Sequence, residues 1–181
     1  IKAFDEEFKD EKVILLLKIS TFFESGRNYA DIIKTILGHH NPKIMINDEY
    51  VSEKELVQYY QKSDCFVAPT RGEGFGLTIA NAIACGLPTI VTKDSNSGHM
   101  DFCKKDFTYF IDSHETIQGD LSYYVPGNML AEPDFESLKK QMRYVYENQE
   151  EASGKGMKGS KFVRENFSWK ESAKKLMEEL K

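Results

Sequence analysis

At 181 residues the chain has the length of one domain and can bury a sizeable core without disulfides or a structural metal. It is 40% hydrophobic and 29% charged, an ordinary globular composition, and its longest apolar run, Val13 to Leu17, is far too short for a membrane-spanning helix. The net charge is −5 and each basic cluster is interleaved with acids, as in Lys170 to Lys181, which speaks against nucleic acid as a main partner.

The chain opens at Ile1 on a charged amphipathic stretch, with no positively charged leader and cleavage site. That start reads as an internal piece of a cytoplasmic protein. Val13 to Ile19 is apolar as far as Lys18, the pattern of a strand covered on both faces. Tyr29, Ile32, Ile33, Ile36 and Leu37 then recur at helical spacing, with Gly38 as the stop. Lys43 to Ile46 predicts a second strand. Ser52 and Glu55 have the spacing of a capping box, flanked by Val51 and Leu56 as a hydrophobic staple. Asp64 to Ala68 reads as the third strand, Leu77 to Cys85 as a helix ended by Gly86, and Pro88 to Thr92 and Phe107 to Ile111 as further strands. Strands alternating with helical runs predict βαβ units around a parallel sheet.

From Glu132 the pattern is helical only. Pro133 suits a first helical position, followed by the apolar stripe Phe135, Leu138, Met142 and Val145. Ser153 to Ser160 is rich in Gly and Lys and reads as a break or a weak helix. Ser168 and Glu171 cap a last helix whose apolar face is Ala173, Leu176, Met177 and Leu180. Trp169, Tyr59 and Tyr60 read as packing residues. The expected fold is a Rossmann-like, doubly wound parallel α/β sheet with helical C-terminal elements, spanning residues 1–181 as a single domain. Cys65, Cys85 and Cys103 are odd in number and lack a CxxC pair, as spectator thiols in a reducing compartment would be. The four histidines lack metal-ligand spacing, and His39-His40, just past a helix end, is expected to face solvent or carbonyls.

The chemistry is concentrated in Cys65 to Thr92, where a strand enters a loop containing Gly72, Gly74 and Gly76 that opens directly into a helix. Glycines let backbone approach a ligand closely, and the first helical N–H groups are unpaired donors at the positive end of the helix dipole. In an open α/β sheet such a loop lies at the carboxyl end of a strand, where ligands bind. The spacing fits neither the Walker loop nor the dinucleotide fingerprint, which would require glycine at Leu77. On spacing alone, a tight turn that merely joins strand to helix remains open.

The residues between the glycines add a resemblance. Glu73-Gly74-Phe75-Gly76-Leu77, followed by Ala80, Ala82, Ala84, Gly86 and Pro88, resembles the signature of the family 4 retaining glycosyltransferases of the GT-B fold. That signature has an acid, a Gly-Phe-Gly-Leu turn, a second acid one helical stretch later, and Ala-x-Ala-x-Gly-x-Pro. Val51-Ser52 with Glu55-Leu56, Ser63-Asp64 with Pro69, and Phe167-Ser168-Trp169 are similar to further family stretches, so the resemblance covers nearly the whole chain. It implies that Glu73 accepts hydrogen bonds from hydroxyls of the transferred sugar. Gly74 belongs to the same turn, and Phe75, Gly76 and Leu77 would offer backbone N–H groups to sugar and diphosphate. The second acid, which in the family holds the ribose hydroxyls, falls at Asn81. An amide offers one acceptor oxygen where a carboxylate accepts from both hydroxyls, so Asn81 would bind ribose less tightly. It also reads as a helix residue satisfied within the core. Arg71 stands beside the turn, placed to support the diphosphate or to make an exposed salt bridge. Lys18, at the end of an apolar strand, and Asp101, in the Ser97 to Asp101 loop, are further candidates for the ligand side.

The resemblance also implies a donor that is a UDP-, GDP- or ADP-sugar, transfer with retention, and no cofactor or dedicated protein metal site; the sequence has no Asp-x-Asp triplet. The family's Arg and Lys that neutralise the leaving diphosphate have no equivalent ahead of Val13, and its acceptor-binding N-terminal domain is expected to be missing. Any peripheral membrane association would run through that domain. The piece is therefore expected to bind donor weakly and to transfer nothing by itself, with a non-catalytic nucleotide-sugar-binding module as the alternative.

Overall fold

The computed structural model describes residues 1–19, 28–117 and 129–180. Strand and helix alternate through the first half of the chain, which divides into two compact units, Ile1–Leu56 and Val57–Lys181.

The first unit contains α1 (Lys2–Glu7), β1 (Leu15–Lys18), α2 (Tyr29–Leu37) and β2 (Ile44–Asn47). β1 and β2 pair in parallel, from Leu15 opposite Ile44 to Lys18 opposite Asn47. Local chemistry sets the bounds of α2. Asn28 caps its start by accepting from the Asp31 N–H, and Gly38 ends it in the left-handed conformation, φ 77°, donating to Lys34 O. Phe4 and Phe8 are buried, 5.5 Å apart between ring centroids. The expectation that β1 is covered on both faces fails: Leu16 is 37% exposed and Met45, its partner in β2, is 51% exposed. In this two-stranded sheet alternate side chains turn to solvent. His39 reaches Leu37 O and Asp5, the solvent-side role expected of it.

Helix α3 (Glu53–Lys62) begins in the first unit and continues into the second. Its capping box forms, with Ser52 N–H donating to Glu55 Oε2 at 2.8 Å and Glu55 N–H donating to Ser52 Oγ at 3.3 Å. These bonds hold the Glu55 carboxyl below the usual carboxylate range.

In the second unit β3 (Phe66–Ala68), β4 (Thr89–Thr92) and β5 (Thr108–Ile111) form a parallel sheet in that order, and α4 (Leu77–Ala84) is the crossover from β3 to β4. β4 is buried along its whole length. Its neighbours Ala68, Ile79, Ile83, Phe102, Phe107 and Val163 make the core. The α/β class, the parallel pairing and the helical C-terminal elements agree with the sequence, with bounds shifted by one or two residues.

Further expectations are corrected or narrowed by the structure. Pro133 does not open a helix. It ends β7 (Met129–Pro133), which pairs antiparallel with β6 (Ser113–Ile117), so that Ser113 faces Pro133. Asp134 caps α5 (Phe135–Glu147) by accepting from the Ser137 N–H at 2.7 Å. Of the two readings of Ser153 to Ser160, the helix holds and the break does not, because α6 (Gln149–Asn166) runs straight through it. Gly156 and Gly159 serve close packing there: a Cβ on Gly156 would sit 2.1 Å from Gly86 O, and one on Gly159 2.8 Å from the Phe107 ring. The apolar residues of α7 (Trp169–Glu179) do not pack. Leu176, Met177 and Leu180 are exposed, and Trp169, expected to pack, is 92% exposed. Tyr60 is buried against Phe66, whereas Tyr59 is only half-buried.

Candidate functional site

β3 ends at Ala68, and the chain needs only the stretch from Pro69 to Gly76 to turn into α4. Gly76 is the N-cap of α4 at φ 86° and ψ 52°, in the left-handed region that glycine enters without a Cβ penalty. A side chain there would meet His99 Cβ at 3.0 Å and Ile79 Cδ1 at 3.2 Å. Among the described residues no side chain caps this end of the helix. Ala80 N–H is bonded to Gly76 O at 2.9 Å, and the donors of the turn before it are the orphan N–H groups that every helix start presents. Leu77 is 67% exposed, so this end opens to solvent.

A second loop clasps the turn. Glu73 N–H donates to Ser97 Oγ at 3.1 Å, and Gly98 N–H donates to Glu73 O at 2.9 Å, so both polar groups of the Glu73 peptide are occupied. Ser97 Oγ in turn donates to Asp94. Gly98 lies so close to the turn that a Cβ on it would be 1.9 Å from Gly74 O. Beneath, the Phe75 ring packs on Phe102 at 5.1 Å and on Phe167 at 6.5 Å, which ties the Phe-Ser-Trp stretch to the turn through its first residue. Ser168 caps α7 by accepting from the Glu171 N–H.

This geometry gives each candidate a place. Glu73 is half-buried with its backbone clasped, and among the described residues its carboxylate makes no hydrogen bond. Gly74, Phe75, Gly76 and Leu77 form one continuous turn with it. Asn81 is exposed on α4, one helical stretch from Leu77, so its reading as a core-satisfied residue fails. Arg71 is engaged by Glu132 of β7 through Nε and Nη2, the latter at 3.0 Å, and this pairing raises the guanidinium pKa further. Ala131 N–H donates to Arg71 O, so β7 holds the approach to the turn. Asp101 ends a short 3-10 turn (Gly98–Asp101) and is exposed. Lys18 ends β1 in the other unit, where its ammonium donates to Ile19 O and Glu49 O at 2.8 Å each.

Sequence reasoning missed the clasp made by Ser97 and Gly98 and the pairing partner Glu132. The signals were weak: a Ser-Gly pair in a loop, and an acid beside Pro133. Burial pushes the Cys65 and Cys103 thiols up to about 12, and no disulfide joins any pair. Among the described residues no group of three or more His, Cys, Asp or Glu is arranged to hold a metal ion, and no helix is long and apolar enough to cross a membrane.

Comparison with known proteins places this turn in context. The family model for glycosyl transferases group 1 matches residues 25–161. Mannosylfructose-phosphate synthase of Agrobacterium fabrum is 44% identical over 43 residues, which is 24% of this chain and 10% of that protein. Sucrose-phosphate synthase from Thermosynechococcus elongatus superposes on 92% of this chain with a TM-score of 0.66 at 18% identity. HepE of Anabaena, in complex with UDP-glucose, superposes on 93% with a TM-score of 0.66 at 15% identity. The chain spans only 38% and 40% of those two structures.

Proposed function

Since the chain belongs to the group 1 glycosyltransferases and has the GT-B-type α/β fold, we propose that its second unit binds the nucleotide-diphosphate sugar from which the whole enzyme transfers the sugar with retention. The observation that carries this reading is the uncapped, solvent-open start of α4, with an unpartnered carboxylate on the same turn. The two features suit the two halves of such a donor. Orphan N–H groups of Phe75, Gly76 and Leu77, aligned with the positive end of the helix dipole, stabilise a diphosphate, including the negative charge that grows on it as the glycosidic bond breaks. The Glu73 carboxylate accepts from sugar hydroxyls, and its clasped backbone fixes where those acceptors stand. The Anabaena structure was solved with UDP-glucose bound, which supports a donor of this class.

Transfer itself needs more. The acceptor has to be oriented against the anomeric carbon with water excluded, and we assign that work to a further domain of the parent protein. The 181-residue chain by itself should then bind donor without turning it over. A thermal-shift screen of UDP-, GDP- and ADP-sugars is the test. One donor should raise the melting temperature in proportion to the logarithm of its concentration, and Glu73→Gln should weaken it by about tenfold, the loss of one charge-assisted bond. No shift with any of the three, or rapid turnover by the chain alone, would reject the reading. A second reading, a non-catalytic nucleotide-sugar-binding module, is favoured by one observation: the exposed Asn81 where a carboxylate would hold ribose more tightly.

A further inference from the structure

We propose that His99 is a positioning residue for the donor turn, a role that rests on the donor-binding reading above. His99 lies in the loop that clasps Glu73, yet it is fully buried, with 0% of its surface exposed. Its Nε2 sits 2.8 Å from Thr92 O, the last carbonyl of β4. A carbonyl oxygen can only accept, so Nε2 carries the proton and donates it. In the neutral ring Nδ1 is then a bare acceptor, and it is buried without a protein partner among the described residues.

The His99 backbone sits between the turn and its clasp on one side and the core residues Phe102 and Cys103 on the other. His99 Cβ is where a side chain on Gly76 would meet it, at 3.0 Å. One residue before, Gly98 binds Glu73 O and lies against Gly74; two before, Ser97 Oγ accepts from Glu73 N–H. On the other side His99 O accepts from Cys103 N–H at 2.9 Å, and Phe102 supports the Phe75 ring. Among the described residues the imidazole is thus the one side chain of the clasp that bonds to the end of the fully buried strand β4. Without its bond to Thr92 O, the clasp would keep only the Ser97 hydroxyl and backbone contacts, and the Glu73 carboxylate would lose its fixed bearing. No ligand needs to touch His99 for this to matter.

Three measurements on the full chain test it. Ring-nitrogen NMR should find Nε2 protonated and Nδ1 bare; a ring protonated at Nδ1 instead would overturn the assignment. Amide exchange at Glu73 and Gly98, measured without ligand, should quicken by about tenfold in His99→Leu. It should stay within about threefold of wild type in His99→Gln, whose side-chain amide can still donate to Thr92 O. Val145→Ala, in the core of α5, controls for general destabilisation and should leave those two amides in step with the rest of the chain. Equal quickening in all three variants would overturn the proposal. If His99→Leu fails to fold, the ring nitrogens and the glutamine variant still decide. Titration with UDP-glucose adds the link to binding: affinity should fall about tenfold in His99→Leu and be restored by Gln. Unchanged affinity in His99→Leu would overturn the positioning role. A wild-type chain that ignores UDP-glucose counts against that donor alone, because the exchange result stands without it.

Discussion

The two ends of α4 use the same residue in the same backbone conformation for opposite purposes. Gly76 at the start and Gly86 just past the end both have φ 86°. At the far end Gly86 N–H donates to Ile83 O and Leu87 N–H to Ala82 O, the paired bonds of a Schellman motif that satisfy the last carbonyls. Gly156 of α6 then lies directly on Gly86 and seals that end. At the near end no side chain among the described residues caps the helix, Leu77 is exposed, and a loop grips the Glu73 peptide. One end has its polar groups satisfied internally and packs; the other keeps donors available. A short helix can be rigid and still present unsatisfied N–H groups because its stability comes from one end and its chemistry from the other.

The sharpest way to break this comparison is to damage the sealed end. Gly156→Ala puts a Cβ 2.1 Å from Gly86 O and 3.0 Å from Gly86 C, so backbone must move, not merely a flexible side chain. Overpacking of this kind destabilises by about 3 kcal/mol, and the melting temperature should drop by roughly 10 °C. Donor affinity, measured well below that temperature, should change little. If affinity collapsed while stability held, the division of labour between the ends would be wrong.

Damage to the clasp should show the reverse balance. Gly98→Ala places a Cβ 1.9 Å from Gly74 O, at the open end. The turn is exposed at Gly74 and can move away, so the stability loss should be smaller, about 1 kcal/mol. The retreat breaks the bond from Gly98 N–H to Glu73 O, and donor affinity should fall by more than tenfold, read by calorimetric titration. A stability loss larger than that of Gly156→Ala, with affinity intact, would assign the clasp to folding.

The two ends also differ in how far they could be read from sequence. Gly86 as a helix stop and Ser52 with Glu55 as a capping box depend on residues within a few positions, and both were legible. The Gly-rich turn was legible as a place where backbone approaches something, while its chemistry came through resemblance; its spacing alone left a plain connecting turn open. What seals or clasps the ends was not legible. Gly154, Gly156 and Gly159 each lower helix propensity by about 1 kcal/mol, so local reasoning leaves a break or a weak helix open. Only contact with Gly86, Phe107 and Ile83 shows why Gly156 and Gly159 are there; nothing crowds Gly154. Ser97 binds a residue 24 positions away, and Pro133 ends a strand only because of its antiparallel partner Ser113, far back in the chain.

The smallest expected effect concerns the open end alone. Asn81 lies on α4 beyond the turn, exposed, with its side chain making no hydrogen bond among the described residues. A substitution there touches neither the seal at Gly86 nor the clasp at Gly98. Asn81→Glu exchanges one acceptor oxygen and an amide donor for a carboxylate that can accept from both ribose hydroxyls. Charge-assisted bonds are about twice as strong as neutral ones, but an exposed pair recovers only part of that, so a gain of about threefold to tenfold in affinity for the preferred nucleotide sugar is expected. Stability should stay within about 0.5 kcal/mol, as for other exposed helix positions. The control is the same donor lacking its 2′-hydroxyl, for which the Glu variant should lose most of its advantage. A large loss of affinity on calorimetric titration would mean that the amide itself is what the ligand requires, and would remove Asn81 from the ribose side of the site.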